Sequence, residues 1–196
     1  MGKILIVNTG PVGAGLGREV PPEELARAVG ERLSEYKVAA VYYCPLPGTE
    51  DLARYIAKQF GLQIELLPGL GEAQNVCWKQ LIQKEGAKDE CSAAGAPPGA
   101  GSMLYPDAGI DMLREASAAA LDDIAVKHKK EAAVVVSQRA LSVIMILHLL
   151  HLNSKHYGQV EQQAGCVNLF EYRFGVPSAL IINDTCHLAS ITSLRA

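Results

Sequence analysis

The sequence has no surplus of positive charge and no apolar segment long enough to span a membrane. Its 196 residues include 18 Lys and Arg against 21 Asp and Glu, which gives a formal net charge of -3. The absence of basic clusters with interleaved aromatic residues argues against a nucleic-acid surface. The most apolar run, residues 141–152, contains two histidines and is shorter than the roughly 20 residues that a spanning helix needs. We therefore expect neither a nucleic-acid nor a membrane partner.

Cysteine is scarce and irregularly placed. The chain has an odd number of cysteines and no Cys-x-x-Cys pair: Cys44, Cys77, Cys91, Cys166 and Cys186. This pattern argues against a disulfide framework and against a thiolate zinc site. The first residues also lack the small-residue cleavage site of a secretory signal. Free thiols and a cytoplasmic location are therefore predicted, and neither a metal nor another cofactor is expected.

Apolar residues make up 49% of the chain, which is enough for one substantial core. Short β-branched runs typical of buried strands alternate with segments of helical periodicity. Strands are predicted at 3–7, 37–44, 63–67 and 132–138, helices at 21–36, 49–61, 110–130 and 140–152, and an antiparallel edge pair around Gly175. The alternation predicts one domain over residues 1–196, a three-layer α/β/α sandwich whose mostly parallel central sheet has an antiparallel edge strand.

A segment rich in Gly, Ala and Pro interrupts this alternation at residues 86–109. It has no apolar periodicity and a length of about 20 residues, which is typical of mobile or functional loops. We interpret it as a flexible loop insertion. A lid over the site and a surface excursion without function are both compatible with its composition.

Polar residues follow three of the predicted strands at their carboxyl ends. They are Asn8, Thr9 and Gly10 after the first strand, Cys44 after the second, and the run 137–139 after a later one. Ligands of parallel α/β sheets bind beyond the carboxyl ends of the strands. These residues are therefore predicted to surround one crevice.

Segments spread over nearly the whole chain match the motifs of one known family in the same order. They include CPLPGTEDLA (44–53), VVVSQRA (134–140) and IINDTCHL (181–188). The single residues matched in the first part of the chain are Pro45, Leu46, Ala53, Leu70, Glu72 and Trp78. Together these segments resemble the histidine phosphatase superfamily, in the phosphoglycerate mutase-like branch that includes α-ribazole phosphatases. The resemblance implies a phosphoglycerate mutase-like fold.

The resemblance also implies that much of the family's charged phosphate site is replaced in this chain. Asn8 and Thr9 stand where the family has an Arg-His pair, Gly48 where it has a second Arg, and Gln138 where it has a second His. Glu72 stands at the position of the family's proton donor. Charge-assisted hydrogen bonds are worth roughly 1.5–3 kcal/mol each, so losing half of such a set costs on the order of 5 kcal/mol.

That loss predicts a catalytically degenerate homologue whose remodelled pocket serves ligand binding, sensing or assembly with an unknown small molecule or protein partner. The predicted pocket residues are Asn8, Thr9, Gly10, Cys44, Gly48, Glu72, Gln138 and Arg139, and Glu72 is the one retained catalytic position. The alternative is a phosphatase or other hydrolase that acts on a small phosphate ester, with Arg139 or Arg18 as the clamp. A further alternative is a structural subunit with a vestigial pocket, which forms a homodimer through a sheet edge at residues 166–174.

Three other candidate sites have simpler interpretations. The glycines of residues 13–17 fit neither G-x-G-x-x-G nor a Walker loop, so they are interpreted as a flexible replacement for a longer family segment. Cys44 has no evident base or cation to lower the pKa of its thiol, which favours an inert buried cysteine. His148, His151 and His156 could in principle bind zinc. They are interpreted instead as core or partly exposed histidines.

Overall fold

The structure is a computed structural model, and it describes residues 1–9, 21–67 and 107–192. Several positions singled out in the sequence lie outside these residues. They are Gly10, Arg18, Glu72, the glycines of residues 13–17 and most of the predicted loop 86–109. The division into one domain and the role of that loop therefore stay predictions.

Within the described residues, strands and helices alternate as the sequence predicts. The strands are β1 (Gly2–Asn8), β2 (Val38–Tyr43), β3 (Ile64–Leu66), β4 (Ala132–Ser137), β5 (Val167–Arg173) and β6 (Val176–Asp184). The helices are α1 (Pro22–Leu33), α2 (Thr49–Gln59), α3 (Asp107–Lys127), α4 (Arg139–Leu149) and a final turn, α5 (Ala189–Thr192). Helix α3 begins inside the segment predicted as a loop up to residue 109. The loop was bounded at residue 109 by its Gly, Ala and Pro content and its lack of apolar periodicity, whereas the helix begins at Asp107.

The strands form one mixed sheet in the order β3-β2-β4-β1-β5-β6. Strands β3, β2, β4 and β1 are parallel, whereas β5 is antiparallel to both β1 and β6. This arrangement confirms the predicted α/β fold with a mostly parallel sheet. The predicted sheet edge at residues 166–174 was wrong: β5 lies inside the sheet and β6 forms the edge. The homodimer itself stays a prediction, although residues 166–174 do not supply a free edge for it.

The core lies in two layers, one on each face of the sheet, and β1 contributes to both. Successive side chains of a strand point to opposite faces. Ile4 and Ile6 accordingly pack with α3 and α4, while Leu5 and Val7 pack with α1 and α2. Burial on both faces explains why β1 is apolar throughout rather than alternating. Two helical layers thus cover the sheet and leave its carboxyl edge as the place where polar strand ends meet. Among the described helices, none has the length and apolar character required to cross a membrane.

A hydrogen-bond chain from the exposed Lys127 to the buried Tyr42 and His128 lies where α3 ends. Nζ of Lys127 donates to the hydroxyl of Tyr42 over 3.0 Å, and that hydroxyl lies 3.0 Å from Nε2 of His128. Since the ammonium only donates, the tyrosine proton is available for His128, whose Nε2 then accepts as neutral imidazole. Burial, with the nearby charge of Lys127, lowers the pKa of His128.

Acidification from pH 7.5 to 5.5 is expected to lower the free energy of unfolding. The unfolded chain protonates His128 near pH 6.5, whereas the folded chain protonates it at a lower pH. Between these two pKa values the unfolded state therefore binds more protons. The free energy of unfolding is highest above pH 6.5 and decreases as the pH falls toward the pKa of His128 in the folded chain. Burial lowers the pKa of His148 and His187 in the same direction. Urea unfolding at the two pH values measures the effect.

The contribution of His128 itself is isolated by His128→Gln. This variant should show a smaller loss of stability between pH 7.5 and 5.5, since one titrating group is gone. An equal pH dependence in His128→Gln and the unmodified chain would contradict the assignment.

Candidate active site

The register of neighbouring strands brings the predicted polar strand ends together. Asn8 at the end of β1 is the parallel partner of Ser137 at the end of β4. The amide of Thr9 donates to the carbonyl of Ser137 over 2.8 Å, and the amide of Cys44 donates to the carbonyl of Val136 over 3.0 Å. The residues that follow β1, β2 and β4 are therefore neighbours at one edge of the sheet, as expected of parallel strands.

Asn8 is fully buried, and both its side chain and its backbone form hydrogen bonds with the segment before β5. Its Nδ2 donates to the carbonyl of Gln163 over 2.8 Å. Its backbone amide donates to the carbonyl of Cys166 over 3.1 Å, and its carbonyl accepts from the amide of Gly165 over 2.8 Å. Asn8 thus ties the end of β1 to the segment that precedes β5.

Thr9 carries a side-chain hydroxyl that no described group engages. Its Oγ1 is inaccessible to solvent and has no hydrogen-bond partner among the described residues. Leaving a buried polar group without a partner costs about 1–3 kcal/mol, so most buried hydroxyls are satisfied. The Thr9 hydroxyl is therefore a hydrogen-bonding group at the carboxyl end of a central strand that the described protein leaves unused.

The loop after β2 is closed by hydrogen bonds, and its Cys44 thiol is a poor nucleophile. Burial raises the pKa of the Cys44 thiol to about 12, although a hydrogen bond with Ser137 opposes the shift. A thiol that stays protonated at neutral pH is a poor nucleophile. Oγ1 of the buried Thr49 lies 2.5 Å from the carbonyl of Cys44 and 2.6 Å from that of Leu46, which closes the turn. Cys44 is therefore a packed core residue beside the site.

Gly48 stands at the position where the resemblance places a clamping Arg, and its backbone explains the glycine. It is the N-cap of α2 with a φ of 76°. A Cβ there would meet no atom within 4 Å, so space does not demand glycine. The left-handed backbone conformation favours glycine instead, because residues with a side chain rarely adopt it.

Helix α4 begins directly at the site. Gln138 is its N-cap but makes no capping hydrogen bond; its Nε2 instead donates to the carbonyl of Pro47 over 2.8 Å. The side chain of Arg139, the first helical residue, is 32% exposed, and its guanidinium lies 3.5 Å from a carboxylate oxygen of Glu161. The N-terminal end of α4 and the guanidinium of Arg139 both produce a positive electrostatic potential at this edge of the sheet, which favours binding of an anion.

Two further observations complete the site. Among the described residues, no group of three His, Cys, Asp or Glu side chains is placed to hold a metal ion. The sequence did not reveal the residues whose hydrogen bonds hold the end of β1 from the side of β5. They are Gln162, Gln163, Gly165, Asn168 and Asn183. The signal was present as the polar residues Glu161, Gln162 and Gln163 shortly before the buried strand β5, and as Asn168 within that strand.

The chain is similar to proteins named as phosphatases. It is 31% identical over 176 residues to the metal-independent phosphoserine phosphatase of Arabidopsis thaliana, an alignment that covers 87% of this chain and 72% of the relative. The solved phosphoserine phosphatase of Entamoeba histolytica matches with a TM-score of 0.66 at 20% identity over 96% of this chain and 100% of that one. The α-ribazole phosphatase of Shigella flexneri matches with a TM-score of 0.60 at 13% identity, covering 93% and 96% of the chains.

These similarities contradict the predicted noncatalytic homologue. The metal-independent phosphoserine phosphatase of Arabidopsis thaliana matches this chain over 87% of its length at 31% identity, which favours the alternative of a phosphatase. The prediction was wrong because it counted charged groups at the positions of the family's motif. It gave the loss of those charges more weight than neutral donors such as the Thr9 hydroxyl and the N-terminus of α4, which also stabilise anionic oxygens.

The match to family models agrees with the fold and with the order of the motifs. The model described as histidine phosphatase superfamily (branch 1) matches residues 23–185. This span runs from α1 through the last strand and includes the strand ends after β2 and β4. The chain therefore belongs to the histidine phosphatase superfamily.

Proposed function

We propose that this chain is a cytoplasmic phosphatase that hydrolyses a small phosphate monoester at the carboxyl ends of β1, β2 and β4. The unengaged hydroxyl of Thr9 carries the proposal, since it is a buried donor at the strand end with no described partner. The similarity to a metal-independent phosphoserine phosphatase supports a phosphorylated amino acid or a comparably small ester as the substrate. The predicted pocket residues remain part of this proposal.

The proposed chemistry is a direct attack by water on phosphorus. The Thr9 hydroxyl, the amino end of α4 and Arg139 would bind the non-bridging oxygens and stabilise the charge that develops on them. Water forms the new P–O bond while the bond to the ester oxygen breaks. Glu72 would donate a proton to that leaving oxygen. Of the two protons of the attacking water, one stays on the phosphate product and the other is released to solvent, from which Glu72 is protonated again. Direct attack fits this chain because the Thr9 and Gln138 positions carry no imidazole and the Cys44 thiol stays protonated.

The proposal is tested by phosphate release from the purified full chain. Phosphoserine, 3-phosphoglycerate, α-ribazole phosphate and p-nitrophenyl phosphate are supplied separately, with and without a chelator. Release from at least one ester in the presence of the chelator is expected. No release from any of them, together with a melting temperature that neither phosphate nor vanadate raises, would overturn the proposal.

Thr9→Val should make the protein more stable and less active at once. Valine has nearly the shape of threonine but no hydroxyl, so it removes a buried polar atom without a described partner. We expect a gain of about 1 kcal/mol in the free energy of unfolding. Loss of one hydrogen bond to a charged phosphoryl group should lower kcat/KM by about tenfold to a hundredfold. Urea unfolding and initial rates measure the two effects.

Thr49→Val is the matched comparison for that variant. The substitution is chemically identical, but Oγ1 of Thr49 is bonded to the carbonyls of Cys44 and Leu46. Its removal should destabilise the chain by about 1–3 kcal/mol. A loss of stability in Thr9→Val as well would mean that the Thr9 hydroxyl has a structural partner, and the proposed role would then be wrong.

A further inference from the structure

A closed pair of buried carboxamides lies behind the strand ends of the site. Asn168 on β5 is fully buried, and Gln162 is only 5% exposed. Nδ2 of Asn168 donates to Oε1 of Gln162 over 2.7 Å, and Nε2 of Gln162 donates back to Oδ1 of Asn168 over 3.0 Å. Each amide thus gives one proton to the other and receives one from it, so neither can rotate without breaking both bonds.

Backbone groups fix which way the Asn168 amide points. Its Nδ2 also donates to the carbonyl of Ile6 over 3.1 Å, and its Oδ1 also accepts from the amide of Asn183 over 2.8 Å. A carbonyl only accepts and an amide only donates, so the orientation is unambiguous. Asn183 has a φ of 56°, a conformation rare for a residue with a side chain. The bond to Asn168 is one of the contacts that retain this backbone shape.

The pair anchors the segment of residues 161–166, and that segment holds the end of β1. Cys166 and Gly165 exchange backbone hydrogen bonds with Asn8, and the carbonyl of Gln163 accepts from the Asn8 side chain. Gln163 is itself fixed from the other side, because its amide donates to Oδ1 of Asn183 over 2.8 Å. Since Thr9 directly follows Asn8, a displacement of this segment that shifts Asn8 should also shift Thr9.

The same segment reaches the other proposed phosphoryl-binding group. Glu161, at its start, lies 3.5 Å from the guanidinium of Arg139. We propose that Asn168 and Gln162 are positioning residues, which fix residues 161–166 and thereby set Thr9 and Arg139 relative to each other for the phosphoryl group. The catalytic consequence rests on the proposed function, whereas the placement of Thr9 is a property of the chain without a ligand.

Asn168→Asp tests the pair through its protonation state. The ionised carboxylate would present an oxygen to two acceptors, the carbonyl of Ile6 and Oε1 of Gln162, and should displace the segment. The protonated carboxyl can donate to Oε1 of Gln162 and accept from its Nε2, which restores the reciprocal pair. The variant should therefore recover when the pH is lowered from 8 to 6. Asn168→Ala has no such group and should not recover.

Other titratable groups around the segment are accounted for by measuring the unmodified chain and Asn168→Ala at the same two pH values. Burial raises the pKa of Cys166 to about 11, so this thiol stays protonated throughout. Burial opposes ionisation of Asp184, but hydrogen bonds to its carboxylate lower the pKa overall. Burial lowers the pKa of His187, whose Nε2 lies 2.9 Å from the carbonyl of Gly165. Glu161 and Arg139 are the charged pair at the start of the segment.

Two readouts separate positioning from simple destabilisation. The amide and methyl resonances of Thr9, recorded on the full chain without a ligand, should shift in Asn168→Asp at pH 8 and return toward their original positions at pH 6. For phosphate release from phosphoserine, kcat should fall about tenfold or more at pH 8 with a smaller change in KM, because misplaced groups lose transition-state contacts. Asn153→Asp, the same substitution at an exposed position, should change neither readout.

Each outcome decides the inference. Unchanged Thr9 resonances in Asn168→Asp at pH 8 would overturn it, and so would a displacement that is equal at both pH values. If Asn168→Asp does not fold, Gln162→Glu is subject to the same pH logic and decides in its place. An unmodified chain that releases no phosphate would refute the proposed function, while the Thr9 resonances would still test the positioning pair.

Discussion

Phosphate release from phosphoserine by Glu72→Gln is expected to fall by about 100-fold to 10,000-fold, the range that a general acid contributes. Glu72 lies outside the described residues, and its proposed role rests on the resemblance of its position to that of the family's proton donor. The leaving group of phosphoserine is an alkoxide, which needs a proton as the P–O bond breaks. Gln has nearly the size of Glu but no acidic proton, so binding should be retained while kcat falls.

The leaving group distinguishes proton donation from binding. p-Nitrophenolate leaves without a proton, so Glu72→Gln should slow hydrolysis of p-nitrophenyl phosphate far less than that of phosphoserine. Glu115→Gln, at an exposed position on α3, is the matched control and should leave both rates unchanged. Equal losses for the two esters in Glu72→Gln would show that Glu72 acts through binding or folding and not as the acid.

Hydrophobic periodicity predicted most of the fold because it reports which faces of an element are buried. β1 is apolar at every position from Ile4 to Val7, which indicated a strand covered on both faces, and helices do pack on both faces. Hydrophobic periodicity does not show which strands pair with each other in the sheet. Residues 166–174 have the same apolar content whether they lie at the edge or inside the sheet, so the pairing of β5 with β1 could not be predicted.

The site was predictable in its place but not in its chemistry. Strand topology alone puts the ends of β1, β2 and β4 together, so Thr9, Cys44 and Gln138 could be assigned to one edge. The bracing amides could not be identified, because Gln162 and Asn168 become informative only when their reciprocal hydrogen bonds are seen. The formal charges of the motif positions did not predict the similarity to phosphatases. The Thr9 hydroxyl, likewise, is noticed only when its surroundings show that no described group bonds to it.

Phe170→Ala is expected to cost about 3–5 kcal/mol of the free energy of unfolding. Phe170 is fully buried on β5, lies opposite Ile4 of β1, and belongs to the core layer beneath α3 and α4. Removing its ring would leave a cavity that two neighbouring strands and two helices cannot close. Since a domain is stable by only about 5–15 kcal/mol, thermal unfolding should show a melting temperature lower by roughly 6–20 °C.

Phe174→Ala provides the comparison, because it removes the same ring four residues further along the chain. Phe174 lies between β5 and β6 and is fully exposed, so its loss should change the free energy of unfolding by less than about 0.5 kcal/mol. The free energy of unfolding should decrease with urea concentration at the same slope in both variants, since neither substitution changes the surface exposed on unfolding by much. Similar losses in the two variants would contradict the placement of β5 inside the sheet. A large loss confined to Phe170→Ala would support this placement, and with it the position of Asn168 behind the site, because both residues belong to the same strand.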